Sequence, residues 1–243
     1  MAASEVATAA SHVATSAAQL PAVNGWTLVL TSAVVASFIN GGVLWWLKRG
    51  DRRREDEVTA RRRTLAYRDA AYALVAFAKE ADDYHQAIDL ASQEYHRHNM
   101  AAFDGLDHIH LRFDLPPETV ESELSADHVD QLREFQVRLQ QSAAWVSGQS
   151  EWAHKDDIYD FEMQRAIHFG SEACRLADAI RAAVGIPPFK VAAQFLASFD
   201  TQFELLAQQY AKRRGRLELI PELESRMKVR FPDLSGGASE DGL

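Results

Sequence analysis

The first pattern along the chain is a long apolar run, Trp26 to Leu47, that contains no charged residue. A membrane-spanning helix needs about 20 mostly apolar residues, because the hydrocarbon core is about 30 Å thick and a helix rises about 1.5 Å per residue. Trp26 stands at one end of the run, and Trp45 and Trp46 stand at the other. Since indole rings favour the membrane interface, the pattern predicts a single transmembrane helix over 26–47.

A second pattern follows the run, with apolar residues at steps of three and four. No proline or glycine interrupts the chain between Asp51 and Asp104, so a long helix is expected to leave the membrane and reach about Asn99. One face of this helix is apolar and is expected to be core: Tyr67, Ala71, Leu74, Ala78, Ala81, Tyr84, Ile88, Ala91 and Tyr95, widened by Val75 and Phe77.

Between Ala101 and Pro117 the helical period is lost, and apolar residues alternate with polar ones. Ile109, Leu111, Phe113 and Leu115 are the apolar members. Alternation is typical of an extended segment. A single short strand has no partner elsewhere in this sequence, so an ordered connection packed on the helices is predicted.

Three further long helices are predicted from apolar periodicity and from helix end signals. The first follows an N-cap at Ser125 and ends near Val146, the second follows an N-cap at Ser150 and ends at Val184, and the third follows Pro188 and ends near Gly215. A short last helix starts at Pro221. The fold class is therefore all-α, with the transmembrane helix continuing into an antiparallel bundle of about four long helices.

The predicted organisation has five parts: a disordered external tail (1–25), the span (26–47), a basic juxtamembrane stalk (48–63), a cytoplasmic bundle (64–230) and a disordered tail (231–243).

Basic residues flank the span on one side only. Residues 1–25 contain no Lys or Arg, whereas a basic collar follows the run directly: Lys48, Arg49, Arg52, Arg53 and Arg54. Positively charged flanks stay on the cytoplasmic side of a membrane. The N-terminus is therefore expected outside the inner membrane, and the bundle is expected in the cytoplasm. The collar is expected to contact anionic lipid headgroups.

The bundle itself is acidic. Residues 64–211 hold 24 acidic and 11 basic side chains, a net charge of −13. This charge excludes nucleic acid as an expected partner. The single cysteine, Cys174, allows no disulfide within the chain, which agrees with a reducing compartment.

Small residues at four-residue spacing mark one face of the span: Ala33, Ser37 and Gly41. Such a stripe lets two helix backbones approach closely, so it predicts packing against a second copy. The alternative is that small residues are common throughout this Ala-rich chain.

Histidines provide the only candidate metal ligands. His108 and His110 lie in the alternating segment, where residues two apart point to one face, and Asp104, Asp107 and Asp114 are close in sequence. A polar loop rich in His and Asp is the alternative. Glu151 with His154, and Asp82 with His85, have the Glu-x-x-His spacing of di-iron bundles, but the inward Glu residues such a centre needs are not apparent.

Two function hypotheses follow. The first is a non-enzymatic, membrane-tethered module that holds a cytoplasmic protein, or itself as an oligomer, at the membrane. The second is a membrane-anchored metal-binding bundle enzyme that uses His and Glu ligands. The sequence contains no phosphate-binding loop, nucleophile elbow or Cys-x-x-Cys motif, and no cofactor is predicted. Its Ala and Arg usage is typical of a bacterial membrane protein from a GC-rich genome.

Overall fold

The computed structural model describes residues 25–234, with side chains from Arg54 onward. Its α-helices are α1 (Gly25–His96), α2 (Glu118–Glu121), α3 (Ala126–Gln149), α4 (Lys155–Ala182), α5 (Lys190–Lys212) and α6 (Pro221–Arg230), and a 3₁₀ turn follows at Pro232–Leu234. The described chain is helical without strands, which confirms the all-α prediction.

Two compact units make up the chain, residues 1–59 and 60–243, and the second unit is the helical bundle. The predicted span, Trp26–Leu47, belongs to the first unit; its backbone is helical as part of α1, but its side chains lie outside the described residues. Within the described residues, no helix is both long enough and apolar enough to cross a membrane. Residues 1–24 and 235–243, predicted as tails, also lie outside the description.

The apolar face predicted for α1 is the centre of the bundle core. Tyr67, Leu74 and Ile88 are at most 1% exposed, and Tyr84 is 4% exposed. Tyr95 is partly buried and packs at the edge of the same cluster. Residues 54–63, by contrast, are exposed, as expected for a charged stalk. The step of three and four residues was therefore sufficient to identify which face of this helix is buried.

The connection between α1 and α3 runs back along α1, which is the main departure from the predicted topology. Phe103 packs near Tyr95, with ring centroids 5.4 Å apart, and Phe113 reaches Phe77, with centroids 6.0 Å apart. The backbone N–H of Ser125 then donates a hydrogen bond to the Tyr67 hydroxyl (3.1 Å). The connection therefore runs antiparallel to α1, and its later residues contact earlier residues of that helix.

As a result α3 starts beside the start of the α1 core face, and the two helices are parallel. Tyr67 contacts the first turn of α3 through the ring of His128 (5.3 Å), and ten residues later Phe77 contacts Phe135 (5.3 Å). A uniformly antiparallel bundle was therefore the wrong prediction for this pair. The reason is that the connection is long and apolar enough to pack on the bundle and return the chain to its starting end.

The alternating residues explain how the connection is held. Leu111 and Phe113 are buried, whereas His110, Arg112 and Asp114 are exposed. Alternation places one side of an extended chain against the core. The prediction of an ordered connection packed on the helices is confirmed, and no β-bridge forms within the described residues.

Helices α3 and α4 are antiparallel neighbours, and so are α4 and α5, since Phe189 lies near Asp178 and Phe199 lies near Gly170. Phe135 packs against Phe169 (5.9 Å), and further along α3 Trp145 packs against Phe161 (5.1 Å). The N-cap at Ser125 is confirmed, but the start of α4 was misplaced: Ser150 ends α3, and α4 begins at Lys155. Asp157 sets this start, because its carboxylate accepts a hydrogen bond from the N-cap backbone of His154 (3.2 Å).

A second, smaller apolar cluster closes the end of the bundle where α6 packs. Its centre includes Val146, Phe161, Tyr210, Ile220, Leu223 and Met227. The buried side chain of Gln164 fixes the segment before α6: its amide donates to the Glu218 carbonyl (3.1 Å), and its oxygen accepts from the Ile220 N–H (2.9 Å). Phe231 and Leu234 pack on the same cluster, so order continues past the expected boundary at residue 230.

Helices α4 and α5 approach each other closely at Gly170. A Cβ atom built there would lie 2.3 to 2.8 Å from three ring carbons of Phe199, which is itself 1% exposed. Such separations are much shorter than a van der Waals contact between two carbon atoms, so the atoms would overlap. Gly170 is therefore required by packing, since the surrounding core holds the Phe199 ring in place.

We expect Gly170→Ala to reduce the free energy of unfolding by about 1–3 kcal/mol, the usual cost of overpacking a core. Gly148→Ala is the matched control, because a Cβ at Gly148 meets nothing within 4 Å. That change should leave stability unchanged or raise it by up to about 1 kcal/mol through helix propensity. Urea unfolding followed by circular dichroism measures both. Equal stabilities for the two variants would contradict the packing argument.

Candidate functional site

The predicted membrane-facing residues cannot be placed by side chain. Ala33, Ser37 and Gly41, and the collar residues Lys48, Arg49, Arg52 and Arg53, lie outside the residues whose side chains are described. Arg54, the last collar residue, is exposed. The roles of the stripe and the collar stay predictions.

The two predicted metal ligands lie on the connection that returns along α1. His108 and His110 are both exposed, and His110 lines a cleft between the connection and the start of α4. The other pairs that have metal-ligand spacing are separated: Asp82 and His85 are buried on α1, whereas Glu151 and His154 are exposed before α4. Among the described side chains no three His, Cys, Asp or Glu groups are placed to share an ion. A metal role for His108 and His110 stays a prediction.

A cleft beside His110 has both polar and apolar lining residues. Its volume is about 370 Å³. Three parts of the chain line it: Tyr84 from α1; Leu106, Asp107, Ile109 and His110 from the connection; and Ser150, Ala153, Lys155, Ile158, Tyr159 and Glu162 from the start of α4 and the turn before it. The cleft therefore lies between the connection and the start of α4, with Tyr84 of α1 also lining it.

A hydrogen-bond network forms one wall of the cleft. The Tyr159 hydroxyl donates to Asp107 Oδ1 (2.7 Å) and lies 3.3 Å from the Phe103 carbonyl oxygen. Lys155 Nζ donates to Asp104 (2.8 Å) and more weakly to Asp107 (3.4 Å). The ring of Tyr159 stacks on Phe103, with centroids 4.5 Å apart. These contacts fix Asp107 at the edge of the cleft.

The network also fixes the charge states of its members. The hydroxyl of Tyr159, then Lys155, lower the pKa of Asp107, so this carboxylate is ionised at neutral pH. Hydrogen bonding to Asp104 and then to Asp107 raises the pKa of Lys155, so the ammonium group is charged. Burial and then the Asp107 hydrogen bond raise the pKa of Tyr159, so its phenol stays protonated and donates.

A second polar cluster lies between α3, α4 and α6. The two terminal nitrogens of the Arg138 guanidinium, Nη1 and Nη2, donate to the carboxylate of Glu172, the first at 3.1 Å. His168, one turn before Glu172, is 9% exposed, and neither of its ring nitrogens has a hydrogen-bond partner. Its Nε2 is 3.6 Å from Glu172 Oε2. Burial, followed by the charges of Arg226, Arg138 and Arg175, lowers the pKa of His168 to about 3.

Sequence reasoning found His110 but missed Tyr84, Lys155 and Tyr159 as residues of a common cavity. Tyr84 and Tyr159 were interpreted as core residues on helix faces, and both are largely buried. Their convergence depends on the returning connection, which periodicity does not reveal. The single available signal was the cluster of Asp and His residues at 104–110.

Comparison with protein-family models, with curated proteins and with solved structures gives no match to this chain. The functional argument therefore depends on its own residues.

His168 makes bundle stability depend on pH. The unfolded chain binds a proton on this ring below about pH 6.5, whereas the folded chain does so only near pH 3. Stability is therefore lost as pH falls below 6.5, and between pH 7 and pH 5 the loss from this group is about 2 kcal/mol. Urea unfolding of wild type and His168→Gln at both pH values measures it.

The variant should lose less stability than wild type on acidification, whatever its stability at pH 7. His108→Gln, which changes an exposed ring, is the control and should retain the wild-type dependence. A His168→Gln variant with an unchanged pH dependence would show that the buried ring is not the titrating group.

Proposed function

We propose that this chain is a membrane-tethered, non-enzymatic helical module that holds its acidic bundle, and a partner bound to it, at the cytoplasmic face of a bacterial inner membrane. The observation that carries the proposal is the uncharged run Trp26–Leu47 followed at once by the basic collar. A run of this length and composition suits a bilayer span, and the one-sided collar suits an orientation with the bundle inside.

The charge distribution supports the same proposal. Each basic residue near an anionic leaflet contributes about 1 kcal/mol of attraction, and the collar has five. The bundle that follows has a net charge of −13 over residues 64–211, which opposes adsorption to the same leaflet. The collar would therefore contact lipid while the bundle stays available to a protein.

The partner would be either a second copy of this chain or a cytoplasmic protein. The stripe Ala33, Ser37 and Gly41 supports a second copy, because small residues at this spacing favour close helix packing in lipid.

The tether is tested by introducing charge into the run. We expect Val34→Asp with Val35→Asp to release the protein from membranes, since each Asp near the centre of a span costs about 2.5–3.5 kcal/mol. Wild type and variant are expressed in bacteria with a proximity-labelling enzyme fused to the C-terminus. The fraction that remains in membranes after an alkaline wash is measured, together with the proteins that are labelled.

The matched control is Ala17→Asp with Ala18→Asp, which adds the same charge before the run and should remain in the washed membranes. Labelling of a cytoplasmic protein or of a second copy by wild type, reduced in the released variant, would identify the partner. A wild-type protein extracted by the alkaline wash would contradict the tether.

A further inference from the structure

The cleft beside α1 contains a polar group that opens into it and for which the described residues supply no hydrogen-bond partner. Tyr84 is 4% exposed and lines the cleft, and in the described part of the chain its hydroxyl makes no hydrogen bond. Burial and then the charge of Glu162 raise the pKa of Tyr84, so the phenol is neutral and its hydroxyl lies within the field of the cleft carboxylates. Because the ring is held by the core while the hydroxyl opens into the cleft, this group is available to hydrogen-bond to a ligand.

The charge of the cleft selects the kind of occupant. Asp107 and Glu162 line the cleft with two negative charges, and Lys155 adds one positive charge. The ion-pair partners just outside it, Asp104 on Lys155 (2.8 Å) and Arg165 on Glu162 (2.7 Å), cancel each other. The cleft is therefore net negative, within a bundle that is itself strongly acidic. An anionic ligand would be repelled, whereas a cation would be attracted.

Asp107 retains the capacity to bind that cation. The hydroxyl of Tyr159 occupies one of its oxygens, and the contact of Lys155 with Asp107, at 3.4 Å, is long. A carboxylate has about four lone-pair sites, so further donors can be accommodated. The carboxylate is thus positioned and ionised but not saturated.

The rest of the lining is suited to contact with the apolar part of a ligand. Leu106, Ile109 and Ile158 contribute aliphatic surface, and the rings of Tyr84 and Tyr159 add aromatic surface. A volume of about 370 Å³ is at the small end of ligand pockets. Aromatic surface beside carboxylates is the usual environment of a bound organic ammonium group.

We propose that this cleft binds a small organic cation, a primary amine with an apolar body, whose ammonium group hydrogen-bonds to Asp107 and to the hydroxyl of Tyr84. This activity goes beyond the membrane tether and does not require it.

The test compares three probes of similar size and different charge on the full-length chain in a mild detergent. The probes are 2-phenylethylamine, 2-phenylethanol and phenylacetate, and binding is measured by saturation-transfer NMR titration before and after treatment with a chelator. The amine should bind about tenfold more tightly than the alcohol, because only it forms a charge-assisted hydrogen bond, and phenylacetate should not bind.

Two variants locate the site. Asp107→Asn should abolish the preference for the amine over the alcohol, and Tyr84→Phe should weaken amine binding severalfold with little effect on the fold. Their controls are Asp83→Asn, at an exposed carboxylate paired with Lys79, and Tyr72→Phe, at a half-exposed ring on the same helix; both should bind the amine as wild type does.

Absence of amine binding by wild type, or equal binding of the amine and the alcohol, would overturn the proposal without any variant. Amine binding that survives Asp107→Asn and Tyr84→Phe would overturn the assignment to this cleft. Loss of amine binding after chelation, restored by added zinc, would replace it with a metal site at His108 and His110.

Discussion

The bundle depends on one contact between three aromatic rings, Phe77 of α1, Phe113 of the connection and Phe135 of α3. Their centroids are 5.2 to 6.0 Å apart and their planes are close to perpendicular, the edge-to-face geometry that aromatic pairs favour. All three side chains are at most 3% exposed. The contact joins α1, the returning segment and α3 at one level, so it fixes the register between two parallel helices that share no short loop.

The cleft follows from this arrangement. The connection has to leave the end of α1, turn at Phe103 and return along the helix, while α4 starts from the same end of the bundle. Between them Tyr84 is covered incompletely, and the network of Asp107, Lys155 and Tyr159 holds the two walls in place. The route of the chain, and not a sequence motif, creates the candidate binding site.

The sequence predicted local features well and non-local ones poorly. Local patterns predicted three features: the apolar face of α1, the N-cap at Ser125 and the alternating burial around Phe113. Each depends on the spacing or type of residues only a few positions apart. The predicted start of α4 was misplaced. The observed start is set by one hydrogen bond, from the His154 N–H to the carboxylate of Asp157, and the sequence pattern at Ser150 competes with it. The parallel pairing of α1 and α3 depends on contacts between residues far apart in the chain, such as Tyr67 and Ser125, and periodicity contains no information about them.

We propose that the run Trp26–Leu47 holds this bundle at the cytoplasmic side of a membrane. Labelling by a membrane-impermeant maleimide in intact bacteria tests it most directly. The native Cys174 is fully buried and can be replaced by Ala, after which Ser11→Cys and Ser235→Cys report on the two ends separately. The account predicts that Cys at position 11 is labelled in intact cells and that Cys at position 235 is labelled only after the inner membrane is permeabilised. Labelling at position 235 in intact cells, or protection of both positions with the protein in the soluble fraction, would contradict it.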